Sequence, residues 1–128
     1  MEVSVFDGGI GFRDKYCSVN PEASDWSEID IIKKCLTKHA TSAKGLNKGD
    51  KGLGLDEILS IIDGRGLIRI KTGHSCIYRN MITHRYQEDS HDMNLYDWSS
   101  HDDKKFTIYK EIEGSVITIV YPIEFTNF

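Results

Sequence analysis

The sequence predicts an α+β domain, a two-layer α/β sandwich in which helices cover one face of a mixed, mostly antiparallel sheet. Three observations predict it. A short strand-like run at the start breaks off at a glycine cluster, Asp7-Gly8-Gly9-Ile10-Gly11. Apolar residues then recur at helical spacing in two separate segments. The second half of the chain carries alternating, β-branched runs bounded by glycine and proline.

The first strand is Val3-Ser4-Val5-Phe6, ended by Asp7 and its glycines. Residues 12 to 26 read as loop, with Asn20-Pro21 marking a turn. Ser27-Glu28-Ile29-Asp30 has the form of a capping box, and Ile29, Ile32, Leu36 and Ala40 follow at helical spacing, which predicts a helix to about Ala40. Residues 41 to 51 are small, polar and glycine-bearing, the composition of a mobile loop. A second helix starts within Gly52 to Leu55, presents Leu55, Ile58, Leu59 and Ile62 on one face, and stops at Gly64 and Gly66. Leu67 to Lys71 and Ser75 to Arg79 form a hairpin about Gly73-His74. Residues 80 to 105 are polar and read as a solvated irregular loop, followed by a short strand over Phe106 to Tyr109. Val116 to Tyr121 is the clearest strand, closed by Pro122.

A chain of 128 residues is one domain's worth. Its net charge of −4 provides no global field for nucleic acid, although Lys44, Lys48 and Lys51 form a local basic cluster suited to a small anion. The three cysteines lack a CxxC spacing and read as reduced thiols. No stretch approaches the roughly 20 apolar residues of a membrane span, and Met1 to Val5 is no signal peptide, so the expected location is cytoplasmic.

Two glycine motifs carry the chemistry. A carboxylate at a strand end, Asp7, can accept a hydrogen bond from an exocyclic amine such as that of adenine, while Gly9 and Gly11 let the backbone approach a flat ring. The same residues also suit a tight turn with a capping aspartate. In Lys51-Gly52-Leu53-Gly54-Leu55, the first amides of a helix lack intrahelical partners and stand at the positive end of its dipole, with side chains stripped away and Lys51 adding charge. Such amides hold phosphates, and the bland alternative is a loop leading into a helix. Neither motif spells a Walker A loop or a dinucleotide fingerprint. Ser115, after Gly114, can hold a water beside Asp7 or serve as a turn residue. His84, His91 and His101 with Asp89, Asp92, Asp97, Asp102 and Asp103 contain metal-ligating types, but at no zinc spacing, and no metal ligand is assigned.

Taken together, these residues resemble the GHKL ATPase superfamily, the group of histidine kinases, gyrase-type topoisomerases and MutL-type repair proteins built on the Bergerat fold. Asp7-Gly8-Gly9-Ile10-Gly11 looks like its D-x-G-x-G box, Gly52-Leu53-Gly54-Leu55 its G-x-G-L box, and Gly114 to Ile119 the segment entering its last strand. Gly66 to Gly73 is similar to the strand after the second box in the kinase-like branch. The resemblance implies an adenine-nucleotide (ATP or ADP) binding module. Asp7 would take the adenine amino group, Gly9 and Gly11 would line the base, and Gly52, Leu53 and Gly54 would offer amides to the phosphates, with Lys51 assisting. Ser115 would make a water-mediated adenine contact, and residues 41 to 51 would be the ATP lid.

One departure is large. The superfamily places before its first glycine box a helix whose asparagine holds magnesium, and here six residues precede Asp7. The chain therefore looks like the C-terminal two-thirds of such a domain, with the polar insertion at about 80 to 105. It is a fragment, or the helix comes from another chain, or turnover has been lost. Mg2+ is expected only if that helix is supplied from elsewhere, and ATPase or kinase-type activity only in a complete parent. The uncovered sheet would expose apolar surface worth about 25 cal/mol per Å² if buried. That surface suits another protein or a second copy, and the alternative function is a non-enzymatic interaction domain.

Overall fold

A computed structural model describes residues 1–37, 54–86 and 93–123. Strand β1 spans Glu2–Asp7 and helix α1 Gly11–Val19, followed by a 3-10 turn over Pro21–Asp25 and helix α2 over Glu28–Cys35. Helix α3 spans Leu55–Ile62, and strands β2 to β5 span Leu67–Thr72, Ser75–Asn80, Tyr96–Asp97 and Ser115–Val120. The five strands form one open sheet in the order β1-β5-β2-β3-β4, so β1 and β4 are its edges.

The coarse architecture matches the expectation of an α+β domain, with differences in detail. Every described strand pair is antiparallel, so the described sheet is not mixed. Residues 12 to 26 are not loop. Phe12 and Tyr16, one helical turn apart, are the buried residues of α1, and the charged run Arg13-Asp14-Lys15 between them hid so narrow a stripe. The helix expected to reach Ala40 gives way at Cys35 to a cap at Leu36, and Ala40 lies outside the described residues. Ser27 does cap it, accepting from the Asp30 amide at 3.1 Å. No strand forms over Phe106 to Tyr109. The short β4 at Tyr96–Asp97 takes the place beside β3 instead, and Thr107 donates to the Asp97 side chain from outside the ladder.

The core lies between the helices and one face of the sheet. Phe12 of α1, Ile32 and Leu36 of α2 and its cap, and Leu55, Leu59 and Ile62 of α3 pack with Ile68, Ile70, Ile77 and Ile117. The strand register makes the reason plain. Directly opposed residues share a face, and the row Val5, Ile117, Ile70, Ile77 crosses four strands on the helix side. Burial fails only at the β1 end of that row. Ile70 and Ile77 are fully buried, whereas Val5 is 56% exposed, and all six residues of β1 are exposed. The apolar sheet surface expected to lie open is therefore present along β1. The segment expected to be a solvated loop contributes Met81, Met93 and Leu95 to the same core.

Candidate functional site

A polar row closes the same face of the sheet one step beyond Val5. Asp7, Ser115, Thr72 and Ser75 are opposed in register across β1, β5, β2 and β3, and the hairpin turn Gly73-His74 joins the last two strands. Opposed residues in an antiparallel pair stand roughly 5 Å apart at Cβ. The fold thus brings Asp7 and Ser115 side by side from opposite ends of the sequence.

The glycine turn after β1 is held from three directions. The Gly9 amide donates to Asp7 Oδ1 at 2.9 Å, so one carboxylate oxygen braces the turn, and among the described residues the other accepts no hydrogen bond. A Cβ at Gly9 would stand 3.1 Å from Asp7 Oδ1 and crowd the carboxylate. Gly11 has φ +85°, with the Thr72 hydroxyl 3.3 Å from where its Cβ would stand. Gly114 has φ +78°, and a Cβ there would overlap the Asp7 carbonyl oxygen. Both conformations are costly for any residue with a side chain. The backbone before β5 therefore packs directly against the end of β1.

Thr72 joins these parts and was missed in the site reading of the sequence. The Phe12 amide at the start of α1 donates to Thr72 Oγ1 at 3.2 Å, and Thr72 Oγ1 lies 3.0 Å from Ser115 Oγ. Both side chains are buried. On the far side of the row, Glu28 in the first turn of α2 accepts hydrogen bonds from the His74 amide at 2.9 Å and from the Ser75 hydroxyl. A threonine ending a strand before Gly73 carries no sequence signal, because its role appears only once β2 lies between β3 and β5.

Of the residues singled out for phosphate contact, Gly54 is the N-cap of α3, with φ +67°, and Leu55 enters the core that also holds Phe12. Lys51, Gly52, Leu53 and the segment 41 to 51 lie outside the described residues.

A second polar centre organises the opposite edge of the sheet. Asp97, fully buried in β4, accepts hydrogen bonds from the amides of Ser99, Ser100 and Thr107 and from the hydroxyls of Ser100, Thr107 and Tyr109. Burial alone would raise its pKa, but the Ser100 and Thr107 donors outweigh that and hold it at about 2. On β3, Arg79 is buried and donates to the carbonyls of Asn94 and Arg85 at 2.8 Å. Asp97 is thus a structural acceptor that ties residues 99 to 109 to the sheet.

Two of the thiols are held protonated by burial. Burial pushes the Cys35 thiol up to about 12 and raises that of Cys76 as well. Among the described residues no three His, Cys, Asp or Glu side chains gather as a metal site, and no helix is long and apolar enough to cross a membrane. Compared with known proteins, the chain matches no family model, no curated protein and no solved structure.

Proposed function

We propose that the row Asp7–Ser115, the glycine turn beside it and the start of α3 form the base-recognising and phosphate-facing walls of an adenine-nucleotide pocket, on a scaffold resembling the GHKL superfamily's Bergerat fold. The observation that carries this reading is the juxtaposition of Asp7 and Ser115 as register partners, with Gly9, Gly11 and Gly114 gathered around the end of β1 beside them. An open carboxylate oxygen accepts from the exocyclic amine of adenine, and a neighbouring hydroxyl completes the ring edge. Gly9 and Gly11 would line the base. Phe12 and Leu55, each one residue past a glycine motif, share one core, which supports both motifs facing the same side of the sheet. Gly52, Leu53 and Gly54 would give amides to the phosphates of ATP or ADP, with Lys51 adding positive charge.

Mg2+ would bind here only if the missing asparagine-bearing helix were supplied from elsewhere. Bound nucleotide would act here as a ligand that organises the turn and the start of α3. The test is calorimetric titration with ADP and with Mg-ATP. Wild type is expected to bind in the micromolar-to-millimolar range and Asp7→Asn not to bind measurably, and unchanged binding by Asp7→Asn would refute base recognition. Hydrolysis by this chain alone is expected to be undetectable.

A second reading, a non-enzymatic interaction domain, is favoured by one specific observation. Val3, Val5, Phe6 and Ile10 are exposed together around β1, an edge strand among the described residues. Another protein or a second copy would cover that surface, and nucleotide-independent association in sedimentation would support it.

A further inference from the structure

We infer that Thr72 is a positioning residue that fixes the direction of the Ser115 hydroxyl and so sets which purine the site accepts, an inference that rests on the adenine-pocket reading. The geometry is a chain of three groups. The Phe12 N–H donates to Thr72 Oγ1 at 3.2 Å, and Thr72 Oγ1 lies 3.0 Å from Ser115 Oγ. A hydroxyl has one proton and two lone pairs. One Thr72 lone pair is taken by the Phe12 amide, and the side chain is only 1% exposed, so its proton must go to a protein acceptor. Among the described residues the acceptor within reach of that proton is Ser115 Oγ. The Thr72 proton therefore points at Ser115, and the Ser115 proton is turned away from Thr72.

Ser115 then acts as a donor, relayed to the base by the bridging water of that reading, in the row it shares with Asp7, whose second oxygen acts as an acceptor. An acceptor next to a donor complements the amino group and unprotonated ring nitrogen on the edge of adenine. Hypoxanthine and guanine present the reverse, a carbonyl oxygen beside a ring N–H. A site that hydrogen-bonds one pattern rejects the other because its own polar groups are left unpaired. Asp7 by itself supplies only half of that discrimination. The other half depends on a hydroxyl that can rotate unless something holds it, and Thr72 is what holds it. The same threonine also fixes the Phe12 amide in the first turn of α1 and hence the exit of the glycine turn.

The experiment measures affinities for ADP and inosine diphosphate in wild type, Thr72→Ser, Thr72→Val and Ser115→Ala, with the thermal midpoint of each. Wild type is expected to prefer ADP by tenfold or more. Thr72→Ser, which keeps the hydroxyl, is expected to preserve that ratio. Thr72→Val, similar in shape but without the proton, is expected to lower it several-fold, and Ser115→Ala to lower it as far. Adding Thr72→Val to Ser115→Ala is expected to change the ratio no further, since Thr72 acts through Ser115. A loss of stability alone would lower both affinities together and leave the ratio unchanged. If wild type binds ADP and Thr72→Val keeps the wild-type ratio, the role given to Thr72 is wrong and the pocket stands. If wild type binds neither nucleotide, the pocket and the role of Thr72 both fall. Should Thr72→Val fail to fold, an unchanged ratio in Ser115→Ala overturns the inference in its place.

Discussion

At the residue scale, two neighbouring glycines show how unequal apparently similar positions are. Gly8 has open space around its missing Cβ apart from ordinary contact with the Phe6 ring, whereas Gly114 combines a left-handed φ with a backbone oxygen where its Cβ would stand. Gly8→Ala is therefore expected to change stability by less than about 1 kcal/mol, and Gly114→Ala to cost more than about 2 kcal/mol, compared by urea midpoints. The D-x-G-x-G spelling drew attention to Gly9 and Gly11, but the constraint at Gly114 arises from the pairing of β5 with β1, which no local pattern encodes. Asp97 makes the same point for charge. It looked like one carboxylate among several in a polar segment, and it is a buried acceptor of amide and hydroxyl donors. Its folded pKa of about 2 lies below the ordinary 3.8, so its stabilisation is complete above about pH 4 and is lost as pH falls toward about 2. Urea midpoints taken between about pH 6 and pH 2 are expected to show this acid limb in wild type and a flatter one in Asp97→Asn. Asp97→Ala, which strands several buried donors, is expected to cost about 3 kcal/mol or more.

At the element scale, legibility followed the width of the apolar stripe. Helix α3 was plain because Leu55, Ile58, Leu59 and Ile62 cover one face in eight residues. Helix α2 was plain because Ser27 caps it and Ile29, Ile32 and Leu36 follow at helical spacing. Ser27→Ala is expected to lower stability by about 1 kcal/mol in a denaturant melt, the usual loss when an N-cap oxygen is removed. Helix α1 stayed hidden because it buries only Phe12 and Tyr16 and its N-cap, Ile10, makes no side-chain cap. It forms because the glycine turn delivers the chain to Thr72, whose hydroxyl receives the Phe12 amide. The β2–β3 hairpin was legible from its alternation and its two-residue turn, while β4 was not. Two residues carry no periodicity, and Tyr96–Asp97 becomes a strand only by pairing with Ile77 and Tyr78.

At the scale of the whole molecule, the sheet is well covered along β5, β2 and β3 and bare along β1. One row of the register provides the comparison. Ile70→Ala, in the middle of the row, is expected to cost about 2–5 kcal/mol through lost burial and a cavity. Val5→Thr, at the exposed end, is expected to stay within about 0.5 kcal/mol. A large loss at Val5, measured in the same melts, would show that β1 is covered in solution. The bare strand and the candidate site lie next to each other, since Asp7 is the last residue of β1 and shares a face with Val3 and Val5.

Local patterns in the chain were enough to specify an α+β class, two of the three described helices, the hairpin, the last strand and several residues of the candidate site. Each of those is written in spacing along the chain, where periodicity and turn chemistry act over a few residues. Which of those residues meet was decided only in three dimensions. Antiparallel pairing of the first and last strands set Asp7 beside Ser115, placed Gly114 against the Asp7 carbonyl, and turned Thr72 into the link between them. Hydrogen bonds and steric limits between residues so far apart in sequence depend on strand register, and register is a property of the packed sheet.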